Sequence, residues 1–177
     1  MNKDSINLPA IPLRGITIFP NMIIHFDVGR EKSISALEES MLKDSKIFLV
    51  SQIDPEIEDP KRNEIYSIGT ICKIKQILKL PKGVTRVLVE GVERAAIIDL
   101  IDDKKFMEVV VEKIDDALNL KDENEDSALR NLLSKAFKEY IKVTEGDESK
   151  VIEVITKEEE LGKVTDLIAA YIQLDED

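Results

Sequence analysis

The chain has 177 residues, of which 43% are hydrophobic and 34% charged, and it carries a formal net charge of −11. That balance excludes a disordered chain and suits one soluble domain, with or without a helical extension. Gripping phosphates or anionic lipid needs a basic face, so the acidity argues against nucleic acid and membrane as main partners.

Up to Asp116, short β-branched runs alternate with Gly and Pro. This pattern predicts strands at Ala10–Leu13, Ile16–Phe19, Met22–Phe26, Lys46–Val50, Gly69–Leu78, Val84–Glu90, Arg94–Leu100 and Met107–Ile114. One helix interrupts them at Glu31–Lys43, where Ile34, Leu37, Met41 and Leu42 share a face. The stretch Asp54–Glu64 reads as a polar loop with Pro55 and Pro60. Lys79-Leu80-Pro81-Lys82-Gly83 reads as a hairpin tip, because Pro presets one turn dihedral and Gly accepts positive φ. Gly91 suggests a corner or bulge. Short strands, tight turns and one inserted helix predict a small, strongly curved sheet or an incomplete barrel.

Beyond Asp116 the apolar spacing turns helical. Leu129, Leu132, Leu133, Ala136, Phe137, Tyr140 and Ile141 form one stripe. A short helix is placed around Val151–Ile155. Thr156-x-x-Glu159 has the capping-box pattern and is expected to open a last helix with the stripe Leu161, Val164, Leu167, Ile168, Tyr171 and Ile172. Asp115–Asp126 reads as the linker. The fold class is therefore α+β: a β-rich domain over residues 1–116 and a helical extension over residues 117–177. Two or three helices bury such stripes poorly alone. They are expected to pack on the sheet domain or to be followed by more helices.

The chemistry of an enzyme is hard to find. A P-loop needs a Gly-rich turn before Gly-Lys-Ser/Thr, whereas Gly162-Lys163 is followed by Val164 inside a predicted helix. Ser40-Met41-Leu42-Lys43 matches a Ser-x-x-Lys spacing, but it lies at the end of an amphipathic helix without the companion motifs. His25 is the only histidine and Cys72 the only cysteine, too few for a zinc site. His25 reads as a strand residue with a structural hydrogen bond, and Cys72 as a small core residue. Asp54, Glu56, Glu58 and Asp59 crowd one loop without EF-hand spacing, so a solvated loop is the better reading than a calcium site. One cysteine allows no internal disulfide. That fits a reducing compartment, and no signal-peptide core or membrane span is seen, so cytoplasm is expected.

Several runs together resemble the amino-terminal portion of Lon-type ATP-dependent proteases. They are Leu8-Pro9-Ala10-Ile11-Pro12-Leu13-Arg14, Phe19-Pro20-Asn21-Met22 and Val28-Gly29-Arg30-Glu31-Lys32-Ser33, followed by Asp54-Pro55-Glu56, Tyr66-Ser67-Ile68-Gly69-Thr70 and Val87-Leu88-Val89-Glu90-Gly91-Val92-Glu93-Arg94. Order and spacing both fit. The likeness is specific through about Ile114 and mostly helical in type beyond it. Two departures are visible: Gly15 stands where the family often has Asp, and His25-Phe26 replaces a more usual Pro-Leu pair. The resemblance implies a PUA-like pseudo-barrel with one inserted helix, then helices leading toward an ATPase. It implies capture of unfolded or damaged polypeptides and self-association, as a hexamer, in a full-length protein. ATP, Mg and the Ser–Lys dyad would belong to domains outside this chain, leaving it no cofactor, metal or catalytic residue of its own.

The leading expectation is thus a protein-binding module feeding a protease. A free-standing module of the same type, an RNA-binding pseudo-barrel and an independent enzyme are the competing readings. Unfolded proteins are recognised by exposed apolar surface with a polar rim. The candidate surface is Phe19, Pro20 and Met22, with Arg30, Glu31 and Lys32 beside it. The competing reading is core packing for Phe19 and Met22, and a solvated helical turn for Arg30, Glu31 and Lys32.

Overall fold

The computed structural model describes residues 5–101, 105–114, 123–143 and 149–172. The chain divides into two compact units, Met1–Asp115 and Asp116–Asp177. The first holds β1 (Ser5–Leu13), β2 (Ile23–Val28), α1 (Glu31–Leu42), β3 (Lys46–Ser51), β4 (Ile68–Lys79), β5 (Thr85–Ile101) and β6 (Glu108–Lys113). The second holds α2 (Glu123–Val143), α3 (Ser149–Lys157) and α4 (Leu161–Tyr171).

The six strands run in the order β2-β5-β4-β3-β1-β6, and β5 also pairs with β6. That extra pairing closes β5, β4, β3, β1 and β6 into a ring, with β2 attached outside on β5. The β1–β3 pair is parallel, and the other pairings are antiparallel. Closure removes edges that an open sheet would leave.

Side chains divide between two layers. Leu8, Ala10, Phe48, Val50, Ile71, Ala95, Ile97, Val109 and Val111 come from all five ring strands and fill the barrel. Ile11, Leu13, Ile47, Leu49, Cys72, Ile74, Val87 and Val89 point the other way, against Ala36 and Leu37 of α1 and Phe26 and Val28 of β2. β3 is buried on both faces, which is why Ile47-Phe48-Leu49-Val50 is apolar without alternation.

β5 serves both layers because it bulges. Cys72 pairs with Gly91 and Ile71 with Glu93, which leaves Val92 as the extra residue. One extra residue flips the alternation. Val87 and Val89 therefore face α1, whereas Ala95 and Ile97 face the barrel interior. The two strands expected on either side of Gly91 are one strand of 17 residues with a bulge.

Ile16–Phe19 is not a strand. Side-chain hydroxyls take its carbonyls instead: Ser51 Oγ donates to the Ile16 carbonyl at 2.9 Å, and Thr70 Oγ1 donates to the Ile18 carbonyl at 2.5 Å. The predicted tip is a 3-10 turn at Pro81–Gly83, with Gly83 at φ 78°.

In the second unit Phe137, Ile141, Ile155, Val164 and Ile168 form a core between the three helices. Burying such a side chain stabilises by roughly 1.5–3 kcal/mol. The capping-box reading fails. Thr156 lies inside α3 and its hydroxyl donates to the Ile152 carbonyl at 2.6 Å, while Glu160 precedes α4 without a side-chain cap. Of the expected linker, residues 115–122 lie outside the described residues, and α2 already begins at Glu123.

Candidate functional site

Arg30 sits between β2 and α1 in extended conformation, and its side chain does not cap the helix. It reaches across instead. Nη1 donates to Gln52 Oε1 at 2.8 Å and to the Glu58 carbonyl at 3.1 Å, and Nη2 donates to the Pro12 carbonyl. Gln52 is 5% exposed and donates in turn to the carbonyls of Asp54 and Ile57, at 3.1 and 2.9 Å. The guanidinium therefore ties β1, the end of β3 and the 54–64 loop together. A planar fork with several donors suits that task; an ammonium does not. Burial, reinforced by the nearby Arg14 charge, holds the Arg30 pKa below its ordinary value.

Beside it, Lys32 Nζ meets both Asp59 carboxylate oxygens at 2.8 and 2.9 Å. The hydrogen bond from Lys32 holds the Asp59 pKa below the usual carboxylate value. Glu31 is exposed. Arg30, Glu31 and Lys32 line one cleft of about 280 Å³ with Pro12, Pro60 and Met107 among its walls. The cleft thus combines apolar walls with a rim of both charges.

The other half of the sequence-derived surface lies elsewhere, and Phe19, Pro20 and Met22 do not line this cleft. They form a strap across β5. Asn21, at φ 63°, donates its N–H to the Gly91 carbonyl at 2.9 Å, and the Gly91 N–H donates to the Met22 carbonyl at 2.8 Å. A Cβ at Gly91 would collide with the Phe19 carbonyl, so only glycine lets the strap approach. Phe19 is half-buried with the Arg94 guanidinium 6.0 Å from its ring centroid, Pro20 is buried, and Met22 is half-buried against the α1 layer.

Sequence reasoning missed the exposed apolar residues on strands. Ile23 is 65% exposed, Ile98 58% and Ile68 56%. Ile23 and Ile98 lie in apolar runs that read as core, and Ile68 stands just before the predicted strand Gly69–Leu78. Ile98 escapes because it is the extra residue of a second bulge, where Ile97 pairs with Val111 and Asp99 with Val110.

Apart from His25, the remaining reactive groups are tied up in structure. Ser40 Oγ donates to the Ala36 carbonyl at 2.8 Å, and Lys43 Nζ pairs with Glu39 at 2.9 Å. Cys72 is buried, which pushes its thiol up to about 12. His25 is exposed on β2, and its ring bonds to none of the described residues, against the structural hydrogen bond expected for it. Asp54 Oδ1 accepts the Glu56 N–H at 2.9 Å, an ordinary loop contact. Among the described residues no group of three or more His, Cys, Asp or Glu could hold a metal, and no helix is long and apolar enough to cross a membrane.

A five-strand ring with one helix on its flank and a mixed-charge cleft beside that helix defines an α+β pseudo-barrel, followed in sequence by a helical unit. The chain belongs to the family of ATP-dependent protease La (LON) substrate-binding domains, whose model matches residues 7–177. It is 42% identical over 172 residues to the Lon protease of Clostridium acetobutylicum, covering 97% of this chain and 22% of that protein. It is 43% identical over 169 residues to the Lon protease of Halothermothrix orenii, covering 96% and 22%. The chain thus spans about a fifth of the length of these curated relatives, 22% in both cases. The fold is similar to the N-terminal domain of Mycobacterium avium complex Lon protease, with a TM-score of 0.73 at 19% identity, covering 95% of this chain and 85% of that one. It is also similar to the Lon N-terminal domain protein of Xanthomonas campestris, with a TM-score of 0.51 at 13% identity, covering 95% and 99%.

Proposed function

We propose that this chain is the substrate-recognition module of a Lon-type ATP-dependent protease, binding unfolded or damaged polypeptides in the cytoplasm without transforming them. The observation that carries the reading is the match of the substrate-binding family model to residues 7–177, which runs through both compact units. The Arg30 cleft and the exposed Ile23, Ile68 and Ile98 supply apolar contact with polar surroundings, as recognition of unfolded chains requires. In this reading the chain needs no cofactor. ATP and Mg act in other domains of a longer protein, where this module also contributes to assembly into a hexamer.

Casein, ATP and the purified chain together test the proposal. The expected result is retention of casein with neither peptide release nor ATP hydrolysis. Turnover of either substrate that survives rigorous purification would contradict it.

A further inference from the structure

Two strand edges face each other across a groove, and only one of them is sealed. β1 turns alternate residues away from β3. The Ala10 N–H there donates to the Met107 carbonyl at 2.8 Å, while Pro12 has no N–H and its carbonyl is taken by Arg30. Proline and a charged side chain are common means of closing an edge to further pairing.

β2 is less protected, since it has no proline and its one charged side chain, Asp27, is paired with Arg86 of β5. Among the described residues β5 is its only strand partner. The Gly91 N–H donates to the Met22 carbonyl at 2.8 Å, so Met22 faces β5. Alternation along an antiparallel ladder then turns Ile24, Phe26 and Val28 toward β5, and Ile23, His25 and Asp27 toward the open side. β2 contains neither proline nor lysine. A groove of about 350 Å³ separates it from β1, with Ile11, Pro12 and Ile16 in one wall and Phe26, Asp27 and Val28 in the other.

We propose that β2 receives an extended segment of unfolded polypeptide as an added strand. The segment's backbone bonds to Ile23, His25 and Asp27, and alternate apolar side chains enter the groove. This rests on the substrate-recognition reading and adds where and how the substrate is held. The occupant follows from the chemistry of the edge. A row of alternating donors and acceptors at strand spacing is matched by another extended backbone. Such bonds do not depend on sequence, which suits a reader of many unfolded chains. A folded protein has already paired its own strands.

His25→Pro is the discriminating variant. Its N–H lies outside the β5 ladder, so β2 tolerates the ring while the open edge loses its central donor. The probe is reduced, carboxymethylated lactalbumin, and the host is the whole 177-residue chain. On adding the probe, amide exchange should slow at Ile23, His25 and Asp27. His25→Pro should weaken binding about tenfold, as loss of a backbone hydrogen bond plus a steric clash implies, with an unchanged melting temperature. If the variant unfolds, exchange in the unaltered chain decides alone. Binding that leaves those three amides unprotected overturns this inference and spares the recognition reading. No binding at all overturns both. Protection that needs no probe and grows with protein concentration assigns the edge to a second copy and also overturns it.

Discussion

Replacing Arg30 with Ala removes three hydrogen bonds at once and leaves their acceptors behind. Two of them, Gln52 Oε1 and the Pro12 carbonyl, are part-buried; the third, the Glu58 carbonyl, is exposed and contributes little. Charge-assisted bonds contribute about 1.5–3 kcal/mol each, and a stranded buried acceptor costs about as much as a lost bond. Water entering the opened cleft offsets part of this, so the expected loss is about 2–4 kcal/mol. For a unit of this size that lowers the melting temperature by roughly 8–15 °C. Lys32→Ala is the control. Its ion pair with Asp59 is 42% and 51% exposed on the two sides, and such pairs contribute about 0–1 kcal/mol. Arg30→Lys should rescue little, because one ammonium cannot reach all three acceptors. Urea unfolding and thermal melts of the three variants measure this. A loss below about 0.5 kcal/mol for Arg30→Ala, or equal losses for Arg30→Ala and Lys32→Ala, would refute the clamp.

Gly69→Ala should destabilise by about 1–3 kcal/mol, because its Cβ would lie 2.5 Å from the Leu49 carbonyl oxygen and 2.6 Å from the Phe48 ring. Gly29→Ala, with nothing within 4 Å, should be nearly neutral, and denaturant midpoints compare the two. Acidification should weaken the first unit in a defined window. The hydrogen bond from Arg86 holds Asp27 below its ordinary pKa of 3.8, and that from Lys32 does the same for Asp59. A depressed carboxyl contributes stability above the unfolded pKa and loses it as pH falls through the folded one, so the loss lies below about pH 4. Urea midpoints from pH 7 to pH 3 should show it, and Asp27→Asn together with Asp59→Asn should flatten the curve; an unchanged slope would count against these pairs.

Much of the fold was legible where one physical signal dominates. β3 is a continuous apolar run because both of its faces are covered. The α1 stripe was legible only in part: Leu37 is buried and Ile34 packs on the core, but the rest of the covered face is Ser33, Ala36 and Ser40, small residues that let the helix lie close to the sheet, while Met41 and Leu42 are 48% and 83% exposed. Ile16–Phe19 misled because its strand-like composition says nothing of Ser51 and Thr70, whose hydroxyls claim its carbonyls from 35 and 52 residues away. The break at Gly91 was legible as a corner or bulge, but not the single strand that continues through it. At the candidate site, Arg30, Glu31 and Lys32 were found as a group, since they are neighbours in sequence. That Arg30 is a clamp was not legible. Its acceptors lie 18, 22 and 28 residues away, and a first helical turn ordinarily points into solvent. The edge of β2 was equally hidden, because strand order is a property of the closed ring.

Binding of one test protein in its unfolded and folded forms tests the central claim most directly. Two or three apolar side chains buried at the contact contribute roughly 1.5–3 kcal/mol each, and ordering both partners cancels much of that. The account therefore predicts affinity on the order of micromolar or weaker for the unfolded form, little change with moderate salt, and hardly any binding of the folded form. Equal binding of the two forms would contradict it and leave assembly as the better account of this domain.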